Sequence, residues 1–347
     1  MSSETKPYLI SIFMPVYNGS KYLEKSIESV LKQTFTSFEL VCVDDTSTDN
    51  SYEILKRYEN IDARIRIFQK PNGGNVPKSF NFVIPYLKGD SIAYMSQDDL
   101  MSPDNLEKLY IKQRDTDADC VLPDMVFYYE NVNNNKILSG IDGNRDVILS
   151  NRDAVVLSLN WEIHGFALWK SKIFKNEIFP EESFDSDEYM TRKFLLKSNK
   201  VVFCSGTFFY RQDNEQAVTK TFSIKNYFSI LKYFRILQLL EENDFDSNIT
   251  GEMLFHVYRT HFDLYRFCSL RKEIYSKNDF KRVRLMLFEL HVQLQKRKLN
   301  ELMNFKRGFN RLKSIFWWVL YFNYSFFKLV MLLFFMIDKV KGRIKVR

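Results

Sequence analysis

The sequence predicts an α/β protein with a doubly wound, mostly parallel sheet, followed by a helical extension. Over the first hundred residues, short apolar runs alternate with segments of helical periodicity, and the links between them are short. Two of the predicted strands end in paired acids, Asp44 with Asp45 and Asp98 with Asp99. After about residue 222, Phe, Ile and Leu recur at helical spacing. The chain of 347 residues can hold a main domain of roughly 220 residues and an appendage of about 120.

The individual elements follow from local signals. The first helix is predicted because Leu23, Ile27 and Val30 fall on one face. Ser102 and Pro103 predict a later helix start, since serine is a common N-cap and proline is favoured at the first helical position. The predicted strands lie at 8–14, 38–43, 64–68 and 92–95, with two edge strands at 201–204 and 207–210; the predicted helices lie at 21–33, 79–87, 190–196, 227–240, 253–270 and 283–299.

The paired acids indicate the chemistry. Carboxyl ends of parallel strands are where open α/β sheets bind ligands. Adjacent carboxylates repel each other unless a cation or hydrogen-bond donors stabilise them, and Mg²⁺ or Mn²⁺ is commonly held by one or two carboxylates plus substrate phosphates. The chain has no G-x-x-x-x-G-K-[ST] loop and no G-x-G-x-x-G after the first strand. This argues against a P-loop nucleotidase and a dinucleotide-dependent oxidoreductase.

Four blocks carry a family resemblance. The sequences PVYN at 15–18, SVLKQT at 29–34, VDDTSTDN at 43–50 and QDD at 97–99 occur in the order and spacing of the family 2 glycosyltransferases, which they resemble. The resemblance implies the GT-A fold, which is Rossmann-like, a nucleotide-diphosphate sugar donor, a Mg²⁺ or Mn²⁺ cofactor, and inversion at the anomeric carbon.

The resemblance also implies roles for individual residues. Asp45 would hydrogen-bond the nucleotide base, and Asp44 would support the turn that carries Asp45. Asp99 would ligate the metal. Asp98 would face the ribose and is a second candidate metal ligand. Lys78 follows a loop at 72–74 like the family's glycine-containing loop and would reach the nucleotide; a solvated helix-face lysine is the alternative. The residues expected to line the base are Pro15, Val16, Tyr17 and Asn18.

An acid-rich turn before the helix at 190–196 is the predicted site of the catalytic base. The family commonly places a Glu-Asp pair here, and Asp187 and Glu188 are that pair in reversed order. An inverting transfer needs one carboxylate to take the proton of the attacking hydroxyl. Asp187 is the predicted base, with Glu188 and Asp185 as rivals. The alternative is that these acids simply favour a helix N-terminus.

Two further groups of residues are predicted substrate contacts. Trp161 and His164, before a strand-like run, suit an acceptor-sugar platform, and a core strand with a satisfied histidine is the alternative. Arg211 and Lys220 flank a loop that often closes over the diphosphate in this family. They would neutralise the charge of the leaving diphosphate. The sequence fits a simple surface loop without this role nearly as well.

The C-terminal segment predicts contact with a membrane. From 315 to 337 only Asn323, Ser325 and Lys328 among 23 residues are not apolar. A span needs ~20 residues, but basic residues flank both ends and leave no orientation signal. A tilted or re-entrant helix, or a pair of amphipathic helices in the headgroup region, fits better; an ordinary buried helix pair is the alternative. Residues 305–347 contribute +9 to a formal total of +7, so the positive excess is local and suits an anionic lipid surface.

The sequence also predicts the domain boundaries and the cellular compartment. The predicted glycosyltransferase domain is 1–222, with a nucleotide half at 1–105 and an acceptor half at 106–222, followed by a helical extension at 223–304 and a membrane-associating segment at 305–347. Four cysteines without a C-x-x-C pair predict a reducing compartment, here the cytoplasmic face of the plasma membrane. The first seven residues show no signal-peptide pattern. Nucleic acid is disfavoured as a partner, because no basic stripe interleaves with aromatics.

The predicted function is inverting transfer of a sugar to a lipid-linked or membrane-proximal glycan in bacterial cell-surface polysaccharide or lipopolysaccharide synthesis. A membrane-tethered, non-catalytic nucleotide-sugar-binding subunit is the alternative. Ser96, which stands where many family members have a further acid, and the reversed order of Asp187 and Glu188 motivate that alternative. A nucleotidyltransferase is disfavoured, because no basic glycine-rich loop follows the first strand.

Overall fold

The computed structural model describes residues 7–217, 220, 223–270, 275–297 and 308–340. Backbone proximity divides the chain into two units. The first unit comprises Met1–Glu181 and Asp185–Lys220, and the second comprises Glu182–Phe184 and Thr221–Arg347. The predicted domain boundaries at residues 222 and 304 lie outside the described residues.

One mixed, mostly parallel sheet forms the first unit, as predicted for a GT-A-type fold. Its strands, among the described residues, are β1 Ile10–Val16, β2 Phe38–Asp44, β3 Ile65–Gln69, β4 Ser91–Tyr94, β5 Leu100–Met101, β6 Cys120–Tyr128, β7 Lys136–Leu138, β8 Leu168–Lys170 and β9 Val201–Arg211. The order is β3-β2-β1-β4-β8-β6-β9-β5, with β7 paired to β6. β1 pairs in parallel with β2 and β4, and β6 pairs in parallel with β9, whereas β8 is antiparallel to both of its neighbours.

Helices cover the sheet and build the second unit. Those of the first unit are α1 Ser20–Leu31, α2 Ser51–Ile61, α3 Val76–Val83, α4 Asn105–Thr116, α5 Asn151–Leu159 and α6 Ser186–Lys197. Those of the second unit, within its described residues, are α7 Lys225–Phe228, α8 Ile230–Glu242, α9 Ser247–Leu270, α10 Lys277–Gln295, α11 Gly308–Phe322 and α12 Tyr324–Val340.

The core of the first unit explains why these segments take these forms. Every residue of β2 is buried, as a strand covered on both faces requires. On α1 the predicted apolar residues Leu23, Ile27 and Val30 are each fully buried in the cluster that contains β1 and β2. Burial of each such side chain stabilises the fold by roughly 1.5–3 kcal/mol. Gly89, just before β4, allows close approach to β1, because a Cβ there would lie 2.4 Å from the backbone nitrogen of Ser11.

Two local predictions are wrong. The strands expected at 201–204 and 207–210 are one continuous strand, β9, and it lies between β6 and β5 rather than at an edge. Gly206 does not interrupt it; a Cβ there would lie 2.6 Å from the Asn105 side-chain oxygen, so the glycine serves close packing against α4. The helix expected to start after Ser102 begins at Asn105 with Asp104 as N-cap, because β5 and a turn come first.

The second unit has its own aromatic core. Tyr227, Tyr258 and Tyr321 are completely or almost completely buried in it. In the described part of the chain, no single helix is long and apolar enough to cross a bilayer. Ile315–Phe322 and Tyr324–Phe334 meet that criterion only together, and their axes are bent by 110°.

Candidate active site

Three loops meet at the carboxyl edge of the sheet. β1, β2 and β4 run in parallel, so the segments that follow them emerge on the same side. The register pairs Val16 with Asp44, and the Asp45 amide donates to the Val16 carbonyl. On the other side of β1, the Met95 amide donates to the Phe13 carbonyl. The acids predicted to share a crevice therefore lie at the ends of β2 and β4, the two strands that flank β1, at one edge of the sheet.

The loop after β1 is fixed by a side-chain amide. Gln97 accepts from the Tyr17 amide at 2.8 Å and donates to the Tyr17 carbonyl at 3.0 Å. Gly19 leaves room for this side chain, since a Cβ there would lie 2.3 Å from its Cδ. Asn18 has a φ of 49° and accepts from the Thr48 amide at 2.8 Å. The exposed Tyr17 ring and a fixed backbone are thus available to a ligand.

Pro15 and Val16 belong to β1 itself. The Val16 side chain is 1% exposed and packs in the core. Any contact of Val16 with a nucleotide therefore uses its backbone, as predicted for this stretch.

Asp44 and Asp45 hold the turns beside that loop. Asp44 is fully buried and accepts from Gln69 Nε2 at 3.0 Å. Asp45 pairs with Lys70 and accepts from the Gly73 amide at 2.8 Å. Asp45 thus anchors the loop that leads to α3, and the predicted roles of Asp44 and Asp45 at the nucleotide base stay predictions.

The loop at 72–74 brings two lysines close together. A Cβ on Gly73 would lie 2.7 Å from Lys70 Nζ and 2.9 Å from Lys78 Cδ. The Lys78 amide donates to Asn75 Oδ1, which caps α3. Lys78 is partly exposed, so its predicted nucleotide contact stays a prediction.

The two acids after β4 differ in accessibility. Asp99 is completely buried; its Oδ2 accepts from the Ser96 amide and its Oδ1 from the Arg211 amide, both at 3.1 Å. Asp98 is partly exposed, and its Oδ2 accepts from Asn214 at 2.7 Å. Asp98 is therefore the more accessible carboxylate, and Asp99 is held by two backbone amides. The metal role predicted for Asp99 and the ribose or metal role predicted for Asp98 stay predictions.

Arg211 joins this turn to the end of β9. Its Nε donates to the Asp98 carbonyl at 2.9 Å, and its Nη1 donates to Asp213 at 3.1 Å. The guanidinium carbon lies 4.4 Å from the Tyr22 ring centre and 4.8 Å from that of Tyr128. Its side chain is 2% exposed. Arg211 thus holds Asp98 in place, and its predicted contact with the diphosphate stays a prediction.

Electrostatics relate the acids of α6 to those after β4. Burial raises the pKa of Tyr94 well above its usual range, and the charge of Asp187 is the next largest cause, with those of Asp99 and Asp98 adding to it. Burial likewise raises the pKa of Tyr210 to about 12, with contributions from Asp99, Asp187, Asp98 and Glu188. The packing agrees, because a Cβ on Gly165 would lie 2.6 Å from the Thr191 hydroxyl of α6. The next residue, Phe166, stacks on Tyr94, so α6 borders the same space as these phenols.

Aromatic rings line that space. The Phe166 ring lies parallel to the Tyr94 ring at 6.1 Å and tilted against the Tyr210 ring at 5.2 Å. Burial raises the pKa of the Asp99 carboxyl too, and the negative charge of Asp98 acts in the same direction. A positive ligand group or cation would be favoured where these acids meet.

The rival acids of α6 occupy different positions. Asp187 and Glu188 lie in the first turn of the helix, and Asp185 is its N-cap residue. Glu188 forms an ion pair with the buried Arg192, whose Nη1 also donates to the Glu188 carbonyl at 2.8 Å. Glu188 is thus paired within its own helix, and the choice among Asp187, Glu188 and Asp185 as the base stays a prediction.

The predicted acceptor residues are placed unequally. Trp161 is 42% exposed with a φ of 60°. His164 is 5% exposed, and its Nε2 donates to the Pro123 carbonyl at 3.1 Å. Burial lowers the pKa of His164 to about 4. The acceptor contact of Trp161 stays a prediction, whereas His164 lies in the interior and has no surface to offer an acceptor.

The segment around Lys220 is described only in part. Lys220 is exposed, and its amide donates to the Ala217 carbonyl at 2.8 Å. Residues 218–219 and 221–222 lie outside the described residues. The predicted role of Lys220 at the diphosphate stays a prediction.

Comparison with known proteins decides the family. The family described as "Glycosyl transferase family 2" matches residues 11–219, more than half of the chain. The chain belongs to glycosyltransferase family 2. It is therefore a glycosyltransferase, and the matched residues contain every candidate site residue except Lys220.

Individual relatives agree with this family assignment. Glycosyltransferase GlyG of Streptococcus pneumoniae is 30% identical over 231 residues, which are 61% of this chain and 73% of GlyG. The putative teichuronic acid biosynthesis glycosyltransferase TuaG of Bacillus subtilis is 35% identical over 100 residues, 29% of this chain and 40% of TuaG. The chondroitin synthase of Pasteurella multocida is 35% identical over 99 residues, but these make up 28% of this chain and 10% of the synthase.

Solved structures share the fold. S. aureus TarS 1–349 in complex with UDP has a TM-score of 0.62 at 17% identity, covering 90% of this chain and 89% of that one. The mannosyltransferase PcManGT from Pyrobaculum calidifontis, in complex with GDP-Man and Mn²⁺, has a TM-score of 0.50 at 12% identity, covering 90% and 86%. The GT-A fold predicted from the sequence is confirmed.

The family 2 site has a donor set that fits a divalent cation. Within the described residues, no group of three or more His, Cys, Asp or Glu side chains is arranged to hold a metal by itself. Mg²⁺ and Mn²⁺ sites of nucleotide enzymes need only one or two carboxylates, because substrate phosphates and water complete the shell. The accessible carboxylate of Asp98, supported by Asp99, meets that requirement.

Sequence reasoning missed several contacts of this family 2 site. Arg211 was predicted as a contact of the diphosphate, but its hydrogen bond to the Asp98 carbonyl, and that of Asn214 to the Asp98 carboxylate, join segments more than a hundred residues apart in the chain. Gln97 was part of a motif, but its link to Tyr17 depends on the proximity of two loops. The packing of Phe166 against Tyr210 likewise follows only from the pairing of distant strands.

Proposed function

We propose that this glycosyltransferase transfers a sugar, with inversion, from a nucleotide-diphosphate sugar to a lipid-linked or membrane-proximal glycan in bacterial cell-surface polysaccharide synthesis. The main support is the family 2 match over residues 11–219, which contain Asp98, Asp99 and Asp187. The contributions of these three acids to the raised pKa of Tyr94 and of Tyr210 agree with a candidate base and a candidate cation ligand near each other. The name of TuaG, a putative teichuronic acid biosynthesis glycosyltransferase, supports the pathway class.

The donor would lie along the carboxyl edge of β1, β2 and β4. Its base would contact the loop that carries Tyr17 and Asn18, whose backbone is fixed before a ligand arrives. Preorganisation of this kind reduces the entropy lost on binding. TarS structures contain UDP and UDP-GlcNAc, which makes a uridine-diphosphate sugar the first donor to test.

Asp98 would hold Mg²⁺ or Mn²⁺ at the diphosphate, with Asp99 fixing the turn. When bound, the cation would neutralise charge on the departing nucleoside diphosphate. Arg211 and Asn214 would keep Asp98 oriented, through its carbonyl and its carboxylate respectively. Mn²⁺ is present in the PcManGT structure.

Asp187 would act as the general base. It would take the proton of an acceptor hydroxyl, and that oxygen would attack the anomeric carbon from the side opposite the diphosphate. The bond from the anomeric carbon to the diphosphate oxygen would break, and its electron pair would leave with the nucleoside diphosphate. A positioned base of this kind contributes ~10²–10⁴-fold to the rate.

The proposed place of action is the cytoplasmic face of the plasma membrane. Free buried thiols support a reducing compartment, since all four cysteines are buried and unpaired. The basic, apolar C-terminal segment would bring the enzyme to a membrane-proximal acceptor.

Donor hydrolysis by the purified chain tests this function. A panel of UDP-, GDP-, dTDP- and CMP-sugars would be incubated with Mn²⁺, Mg²⁺ or EDTA, and nucleotide release measured. We expect slow, metal-dependent release from one nucleotide-diphosphate sugar. Nucleotide binding without turnover, even with glycan acceptors added, would favour the non-catalytic subunit; absence of nucleotide binding would contradict the proposed site.

A further inference from the structure

The second unit exposes a concentrated set of large apolar side chains on α11 and α12. Elsewhere in the described chain, such exposed side chains are spread over many elements, as is normal for soluble surfaces. Here they follow one another within 23 residues. The set, called the apolar face below, consists of Ile315, Phe316, Val319, Phe322, Phe326, Leu329, Leu332, Leu333, Met336 and Ile337, each at least 40% exposed.

The opposite sides of the same helices are already used. Leu320 and Tyr321 of α11 and Phe327 and Met331 of α12 are at most 5% exposed in the core of the second unit. At 100° per residue, the exposed residues of α12 cover an arc of roughly 140° that does not overlap the buried ones. The apolar face is therefore an ordered surface of a folded unit.

The break between the helices is built into the chain. Asn323 Oδ1 accepts from the Ser325 amide at 2.8 Å, which caps the start of α12. α11 has 15 residues and α12 has 17, so at ~1.5 Å per residue each is shorter than the ~30 Å hydrocarbon core of a bilayer. With a 110° bend between them, the pair suits a layer parallel to a surface better than a crossing.

We propose that the apolar face lies in the headgroup region of an anionic lipid bilayer, with α11 and α12 as a bent, non-spanning anchor. The charge of the segment identifies an anionic bilayer as the partner of the apolar face. Residues 305–347 contain ten Lys or Arg and one acid, Asp338, so the segment that carries the apolar face is strongly cationic. Each such charge near an anionic surface contributes ~1 kcal/mol of attraction.

Lys328 fits the same arrangement. It is exposed, and its ammonium lies 5.2 Å from the ring centre of Tyr324, which packs against the core of the second unit. Lysine combines an apolar stem with a charged end and favours the level of the headgroups. A second copy of this chain would bring a second cationic segment against the first, which is unfavourable. This inference takes its purpose from the proposed membrane-proximal acceptor, but its test does not depend on catalysis.

Vesicle flotation of the full chain tests the proposal. Wild type would be compared with the double variant Leu329→Glu/Leu333→Glu on vesicles of phosphatidylglycerol with phosphatidylcholine, and on phosphatidylcholine alone. The matched control is Ile61→Glu/Ile178→Glu, which adds the same two charges at residues 69% and 74% exposed in the first unit. All these positions are exposed, so neither variant leaves a core cavity.

We expect wild type to bind the anionic vesicles, the apolar-face variant to bind at least tenfold more weakly, and the control to stay within twofold of wild type. The proposal would be overturned if wild type does not bind anionic vesicles, or if the apolar-face variant binds them as tightly as wild type. A wild-type dimer in size-exclusion chromatography that the apolar-face variant converts to monomer would overturn it as well. Donor hydrolysis in vesicle-free buffer is measured in parallel. If wild type hydrolyses no donor, that result counts against the proposed function and not against the membrane anchor.

Discussion

Replacement of Arg211 by alanine tests how the site is held together. The guanidinium donates to the Asp98 carbonyl at 2.9 Å and to Asp213 at 3.1 Å, and it lies between the rings of Tyr22 and Tyr128. Hydrogen bonds to charged groups contribute ~1.5–3 kcal/mol each. A cation over an aromatic ring adds ~0.5–2 kcal/mol.

These contributions are not additive, because all of them share one side chain. Removal of one partner of a buried charged pair typically costs ~3–5 kcal/mol. Asp213 is 25% exposed and regains water, so we expect the lower end, ~3 kcal/mol of unfolding free energy, for Arg211→Ala. Arg211→Lys keeps the charge but not the planar fork, and we expect it to recover only part of this loss.

The assay combines urea unfolding with the metal dependence of donor hydrolysis. If Arg211 orients Asp98, the folded Arg211→Ala protein needs at least tenfold more Mn²⁺ for half-maximal rate. Arg145→Ala, which removes a two-bond pair with Asp124 on another part of the unit, is the control and should leave the Mn²⁺ requirement unchanged. An unchanged Mn²⁺ requirement in Arg211→Ala would refute the orienting role. A selective loss of nucleoside-diphosphate affinity would point instead to the predicted diphosphate contact.

Three further outcomes are expected. Gly89→Ala should lower the unfolding free energy, measured in urea, by ~1–3 kcal/mol. Its Cβ would lie 2.4 Å from the Ser11 backbone nitrogen, and a backbone atom cannot rotate aside as a flexible side chain can. His164 stays neutral in the folded protein down to its pKa of about 4, while the unfolded chain takes up its proton near 6.5. Stability therefore falls as pH decreases from about 6.5 to about 4, by ~1 kcal/mol per pH unit for this group, and the urea midpoint of His164→Phe should depend less on pH. Trp161→Ala should raise the acceptor KM at least tenfold and leave donor hydrolysis unchanged; an unchanged KM would remove Trp161 from the acceptor site.

Much of the nucleotide half could be predicted because its signals are local. β1 and β2 are apolar runs that end in polar turns, and parallel strands deliver those turns to one edge. The position of the paired acids after β2 and β4 follows from that rule alone. The family blocks then supplied roles that periodicity cannot supply, such as that of Asp187.

The remaining features depend on tertiary pairing. β5 has two residues and no periodicity, and it exists because β9 lies beside it. The residues Ser205 and Gly206 were interpreted as a break, yet β9 continues through them, and its pairing with β6 only shifts register between Phe203 and Thr207. The Asp99 carboxylate is buried and accepts a hydrogen bond from the amide of Arg211, which belongs to that same distant strand. None of these contacts has a signal in the local sequence.

Nucleotide binding and sugar transfer, measured on the same samples of wild type, Asp98→Asn, Asp187→Asn and Glu188→Gln, test the central claim most directly. Calorimetry with Mn²⁺ reports donor binding, and release of the nucleoside diphosphate in the presence of acceptor reports chemistry. We expect Asp187→Asn to bind donor within a few-fold of wild type but to lose ~10²–10⁴-fold in rate. Asp98→Asn should lose metal-dependent binding, and Glu188→Gln should keep its rate once folded. An Asp187→Asn protein that turns over at the wild-type rate, or a rate loss confined to Glu188→Gln, would contradict this account of the site.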